Sequence, residues 1–294
     1  MTIKKLTVAG GGVLGSQIAY QAAYKGYPVT IYDIDQAALT AVKTRINALR
    51  PSYQTDLQAS DADFDAALSR LTYVSDLAEA VKHADLIIEA IPENLDLKTK
   101  FYQQISELAP ATAIFSSNSS SLLPSQLAPA TDRPARLLNM HFANHIWVNN
   151  TAEIMGSSQT DPKVYQEVVT FAKSIGMIPI QLKKEHSSYI LNSLLTPLMA
   201  SGMSLWVNGI ADPQTIDKTW MIATGAAMGP FGILDMIGAR TLTAVPLPAA
   251  IDPDGKITAS LKQRLADGKL GVESGEGFYH YPNPEFQQPD FLKA

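Results

Sequence analysis

The chain has 294 residues, 46% hydrophobic and 17% charged, which is enough for two globular domains, each with its own core. A formal charge of -5 excludes the basic stripe of a nucleic-acid binder and the polybasic patch of a membrane-surface protein. With no cysteine, disulfides, thiolate nucleophiles and cysteine-ligated zinc are ruled out, in keeping with a cytoplasmic location.

Lys4 and Lys5 before Leu6-Thr7-Val8-Ala9 resemble the start of a secretory signal, but Gly10, Gly11, Gly12 and Gly15 would break its apolar helix. The stretch instead reads as a strand that runs into Gly10-x-Gly12-x-x-Gly15 and then a helix over Ser16 to Tyr24, the context of a dinucleotide fingerprint. Gly10 permits the turn, Gly12 lets backbone approach a pyrophosphate, and Gly15 lets helix pack on strand. Val13 and Leu14 begin the helix whose free N–H groups would face that anion. Val29 to Tyr32 is a second strand closing on Asp33, placed to hold a ribose 2′-hydroxyl and to repel a 2′-phosphate, which favours NAD over NADP. The fingerprint by itself does not separate NAD from FAD.

Helical sequence fills Gln36 to Arg50 until Pro51 breaks it, and Asp56 to Arg70 is acidic and helical. Asp85 to Ala90 and Ala113 to Ser116 are buried-strand runs. Strands alternating with helices predict parallel βαβ units in a doubly wound α/β sheet, Rossmann-type once the fingerprint is added. Beyond Lys183-Lys184-Glu185 only helical runs follow, so an α/β domain over 1–185 and an all-α domain over 186–294 are expected. The uncharged segment Ser187 to Ala211 is long enough to span a bilayer, yet Asn192, Ser193, Thr196, Pro197 and Asn208 make it a buried core helix instead.

The residues suited to chemistry are His141, with Glu153 after it and the run Ser117-Asn118-Ser119-Ser120-Ser121 before it. A histidine takes and returns protons near neutral pH, and a carboxylate on its second nitrogen fixes the tautomer and favours the imidazolium. A spacing of twelve cannot join adjacent turns of one helix; it suits two strands linked by a loop, and Leu137 to Met140 and Ala152 to Met155 both read as extended. The serine run follows a strand, where sheets of this kind bind ligands. His141 and His145 have an HxxxH spacing, but without a helical pattern or cysteine no metal is expected.

In order, the glycine loop, Glu89 to Lys98, Ser117 to Leu122, His141 to His145 and Glu153 match the "EAxxENxxxK", "SNTSSL" and "HFFNP" pattern of the L-3-hydroxyacyl-CoA dehydrogenase family. Ile190-Leu191-Asn192 resembles its "GFIxNR", Met228 to Asp235 its "MGPFxLxD", and Gly275 to Tyr279 its "GxGFY", so the resemblance covers nearly the whole chain. It implies a homodimeric NAD-dependent enzyme of fatty acid metabolism. His141 would be the base, Glu153 its partner, Ser120 a hydrogen-bond donor to the substrate oxygen, and Asn192 a holder of the reacting substrate. Glu93, Lys98, Asn118 and Asn144 would lie against the cofactor.

Departures cluster on the substrate side. The family's proline after "HFFN" is His145 here, and the glycine and arginine of "GFIxNR" are Ser188 and Ser193. The family binds the CoA nucleotide with basic residues in the region corresponding to Tyr53 to Leu68, which here carries Asp56, Asp61, Asp63 and Asp65 and no Lys or Arg. A 3-hydroxyacyl-CoA is the default substrate; a free small 3-hydroxy acid is the alternative, and a non-catalytic dinucleotide-binding protein the third reading.

Overall fold

A computed structural model describes residues 3–244, 247 and 249–293. They form two compact units, dividing between Tyr189 and Ile190 rather than at residue 185.

The first unit is built on an eight-stranded sheet: β1 (Leu6–Ala9), β2 (Val29–Tyr32), β3 (Leu71–Val74), β4 (Leu86–Glu89), β5 (Ile114–Ser117), β6 (Leu137–Phe142), β7 (Thr151–Gly156) and β8 (Ile178–Gln181). Their order is β3-β2-β1-β4-β5-β6-β7-β8, and every pair is parallel except β6 with β7. The order reverses between β1 and β4, the switch point at which a doubly wound sheet opens its ligand crevice. Both faces are covered, so the strands read as continuous apolar runs: Leu86 and Ile88 enter one core, with helix α1 (Val13–Tyr24), while Ile87 enters the other.

Three local readings are corrected. Pro51 starts a helix instead of ending one: α2 (Gln36–Asn47) stops early, and α3 (Arg50–Leu57) carries the proline in its first turn, where its missing N–H has no partner to lose. The acidic stretch divides into α3 and α4 (Asp61–Leu68), the latter with Ser60 and Asp63 as a capping box. Strands β3 and β8 were not anticipated; both are four-residue edge strands, and β8 contains Pro179, a residue tolerated at a sheet edge. The remaining helices of this unit are α5 (Leu77–Val81), α6 (Leu95–Leu108), α7 (Pro124–Leu127) and α8 (Pro162–Ser174).

The described part of the second unit is helical: α9 (Leu191–Val207), α10 (Pro213–Thr224), α11 (Pro230–Ile237), α12 (Ala239–Ala244) and α13 (Lys256–Ala266), around Met203, Met221, Phe231, Leu234, Phe278 and Tyr279. The segment expected to be a buried core helix is α9, and only its Gly202 and Met203 are buried; Leu194 is 68% exposed. Helices α10, α11 and α13 pack against it and leave much of its surface open, so all-round apolarity overstated its burial. No described helix is long and apolar enough to cross a membrane.

Candidate active site

The glycine loop follows from sterics. A Cβ on Gly10 would lie 2.6 Å from the Ala90 carbonyl oxygen, and one on Gly15 would lie 1.9 Å from the Gly10 oxygen, so both positions exclude larger residues. Gly10 also has φ +93°, a left-handed conformation suited to glycine. Above Gly12 there is open space, and Gly12 caps α1 without any side-chain hydrogen bond, leaving the helix N-terminus available to an anion. Val13 beside it is exposed and Leu14 half-buried. Asp33, just past β2, accepts from Gly11 N at 2.9 Å and Ile34 N at 2.8 Å, which anchors its carboxylate at the loop. This cradle fits a dinucleotide. Gly12→Ala is therefore expected to leave the melting temperature unchanged while weakening NADH binding about tenfold or more, measured by fluorescence titration, since only the approach of a pyrophosphate is obstructed.

A polar row crosses the sheet at the C-terminal ends of β4 and β5 and continues inside β6 and β7. Glu89 pairs in register with Ser117, Ser117 with Asn139, and His141 with Glu153 across the antiparallel β6–β7 pair. All five are buried. His141 Nδ1 lies 3.2 Å from Glu153 Oε2. The hairpin thus brings together the two residues that the spacing of twelve had assigned to linked strands.

Glu93 organises the serine run. Its Oε1 accepts from Ser119 Oγ at 2.5 Å, Ser121 Oγ at 2.6 Å and Ser121 N at 3.0 Å. Burial opposes its charge, but those two hydroxyls and the Lys98 ammonium hold the carboxyl below the usual carboxylate range. With its neighbours turned toward Glu93, Ser120 stands exposed. Asn118 accepts from Phe142 N at 3.1 Å and ties the end of β5 to that of β6. Asn144 is exposed in the following loop, where its carbonyl accepts from Asn149.

Lys98, expected to lie against the cofactor, points into the protein. It is 1% exposed, donating to Glu89 Oε1 at 2.5 Å and the Ile91 carbonyl, and lying 3.4 Å from Glu93 Oε2. The ammonium balances the charge of Glu89, whose carboxyl burial pushes upward against Lys98 and Ser117. Asn192 lies in the first turn of α9, in the second unit.

The loop after β6 explains the loss of the family's proline. His145 has φ +59°, which proline, fixed near -65°, cannot adopt. Gln17 Oε1 accepts from His145 N, and Trp147 Nε1 donates to Asp56 at 2.8 Å while its ring packs on Tyr53. The acids of α3 and α4 are thus largely engaged internally: Arg50 bridges Asp61 and Asp65, and Asp63 closes its own capping box. Arg50 offsets part of the negative charge of that face but is itself committed to Asp61 and Asp65, and the hydrogen bonds from Ser60 favour the charged form of Asp63. Among the described residues no three His, Asp or Glu side chains converge as a metal site requires.

Residues that sequence reasoning passed over are Glu89, Asn139 and Tyr189. Asn139 and His141 sit two apart in an otherwise apolar buried strand, a spacing that places two polar groups on one face and could have signalled the first.

Residues 5–186 match the family model described as 3-hydroxyacyl-CoA dehydrogenase, NAD binding domain, and residues 189–281 match its C-terminal domain. The chain is 32% identical over 288 residues to human mitochondrial hydroxyacyl-coenzyme A dehydrogenase, covering 95% of this chain and 91% of that protein. A solved diketoreductase structure, described as acting on dicarbonyl compounds, is 52% identical with a TM-score of 0.89 and covers 96% of this chain and 100% of its own. The (S)-3-hydroxybutyryl-CoA dehydrogenase of Ralstonia eutropha is 29% identical with a TM-score of 0.80, covering 95% and 99%. The chain belongs to the 3-hydroxyacyl-CoA dehydrogenase family and is an NAD-dependent oxidoreductase.

Proposed function

We propose that the enzyme interconverts a secondary alcohol and its ketone on a small, CoA-free substrate of the 3-hydroxy acid or dicarbonyl type, with His141 and Glu153 as the proton-transferring pair. NAD, when bound, supplies the hydride acceptor, and in its reduced form the donor. In oxidation the substrate O–H proton passes to His141 Nε2, the nitrogen opposite the one facing Glu153, as the C–H electron pair leaves with its hydrogen as hydride. The Glu153 carboxylate, buried 3.2 Å from Nδ1, stabilises the imidazolium that results. Ser120 hydrogen-bonds the oxygen that alternates between hydroxyl and carbonyl, and Asn192 helps hold the substrate. Reduction runs the same transfers backward, with the imidazolium as acid.

The observation that carries the base assignment is the register pairing of His141 with Glu153. The choice of a CoA-free substrate is supported by the 52% identity to the diketoreductase and by the commitment of Arg50 to Asp61 and Asp65, which leaves it occupied rather than open to a nucleotide phosphate. The family models favour a second reading, an acyl-CoA thioester. A panel of 3-hydroxybutyryl-CoA, free 3-hydroxybutyrate and a diketo ester, assayed by NADH absorbance, decides between them. The free substrates are expected to show kcat/KM about tenfold or more above the thioester, whereas turnover of thioesters alone establishes the second reading. Exposed Leu194, Leu205, Ile210 and Ile222 in the second unit support a homodimer.

A further inference from the structure

We infer that Tyr189 is a positioning residue that fixes the plane of the His141 imidazole and ties it to the serine run carrying Ser120. The inference rests on His141 being the base.

The Glu153 hydrogen bond alone cannot orient the imidazole. At 3.2 Å it is at the long end of the range and holds one nitrogen, leaving the ring free to rock about it. Tyr189 supplies the missing constraint. Its ring stacks on the imidazole with centroids 4.5 Å apart and planes 15° from parallel, and it is fully buried, so the phenol covers one face of the base.

The phenol is itself fixed at its far end. Tyr189 Oη donates to the Ser119 carbonyl at 2.8 Å and accepts from Asn139 Nδ2 at 3.0 Å. Burial pushes its hydroxyl well above the ordinary tyrosine range, so it remains an O–H donor. Asn139 also donates to the Leu122 carbonyl at 2.8 Å, and Ser119 Oγ is clamped by Glu93. A continuous path therefore runs from Glu93 through Ser119 to Tyr189 and, by ring stacking, to His141. Ser120 is the next residue after Ser119, so the same contacts set the distance between the two groups that meet the substrate oxygen.

The backbone is committed to this arrangement. Ser188 and Tyr189 both have positive φ, at 69° and 54°, conformations that L residues adopt at a cost and keep where their surroundings enforce them. The family's "GFIxNR" has phenylalanine at this place. A phenylalanine could stack on the imidazole but could not bond to Ser119 or Asn139, so the hydroxyl link departs from that family pattern.

The test compares Tyr189→Phe, which keeps the ring and loses the hydroxyl, with Tyr189→Leu, which loses both. For Tyr189→Leu, kcat is expected to fall about 10- to 100-fold, the cost of a misplaced proton acceptor, with substrate KM and NADH affinity within about twofold of the parent. For Tyr189→Phe the expected fall in kcat is about three- to tenfold. The His141 ring protons, followed by NMR with labelled histidine, should keep their upfield ring-current shift in Tyr189→Phe and lose it in Tyr189→Leu. A folded Tyr189→Leu with parental kcat, an unchanged ring-current shift, or a loss confined to KM overturns the inference. If Tyr189→Leu does not fold, full kcat in Tyr189→Phe overturns it. His141→Gln, run alongside, separates the two levels: retained turnover there sinks the base assignment, while lost turnover with an unaffected Tyr189→Leu sinks only the positioning role.

Discussion

Glu153→Gln is expected to lower kcat by about two to four orders of magnitude while leaving NADH affinity within about twofold. The substitution preserves the size of a side chain that is 3% exposed and opposes His141 in register, so the β6–β7 pair has no reason to rearrange. What it removes is charge. In the proposed mechanism His141 becomes an imidazolium in a site where it is only 7% exposed, so little water is at hand to solvate the cation. A carboxylate 3.2 Å away stabilises that state, and a neutral amide does so far less. The amide can also present its NH₂ group to Nδ1, selecting the tautomer that carries its proton on Nε2 and cannot accept another there. Steady-state and single-turnover kinetics at saturating NADH, with fluorescence titration of the cofactor, check the prediction. Parental turnover in Glu153→Gln refutes the dyad, and a matching collapse of NADH affinity points to a structural lesion instead.

The largest effect on stability is expected at Asp235, on α11 in the second unit. This carboxylate is 4% exposed and accepts from Phe278 N at 2.8 Å, Tyr279 N at 2.9 Å and the Tyr281 hydroxyl at 3.2 Å. Burial pushes its carboxyl upward, while those donors and the nearby Arg264 favour the charged form. The turn it holds has no room for alternatives, since a Cβ on Gly277 would lie 2.1 Å from Asp235 Oδ1. Tyr279 then donates to Asp217, which accepts from Phe231 N and Gly232 N at the start of α11, so the two aspartates clasp opposite ends of one tyrosine. Asp235→Ala orphans two buried N–H groups and leaves a cavity, at a cost of about 3 kcal/mol or more. For a unit of this size that lowers the midpoint of thermal unfolding by about 10 °C or more. Asp235→Asn, which keeps one acceptor oxygen, should lose about half as much. Circular dichroism melts of the three proteins check the order; equal melting of parent and Asp235→Ala would show that the turn does not depend on the clasp.

Some of the molecule was legible from local sequence because local sterics and chain periodicity decide it. The glycine loop is such a case: Gly15 is required by a clash with the Gly10 carbonyl inside one strand–turn–helix and Gly10 by its left-handed φ, so their spacing alone announces the motif. The buried central strands were readable because both faces of a parallel sheet are covered, which forces continuous apolar runs such as Leu86 to Ile88. Strands β3 and β8 were not readable in this way, since edge strands of four residues are only partly covered and need no apolar run. Pro51 misled because the residue that cannot continue one helix can open the next.

The site divides along the same line. Residue type and spacing singled out His141 and Glu153, and the helix-breaking glycines singled out the cofactor turn, from sequence alone. Which partner each charge takes was decided only by the tertiary fold. Lys98 turned inward to Glu89, Asp56 was taken by Trp147, Arg50 was divided between Asp61 and Asp65, and Tyr189 came to lie on an imidazole 48 positions earlier in the chain. Local order reflects the few degrees of freedom of neighbouring residues, whereas a buried ion pair or a stacked ring depends on which distant strands lie side by side. That is settled by packing of the whole core, and no stretch of neighbouring residues encodes it.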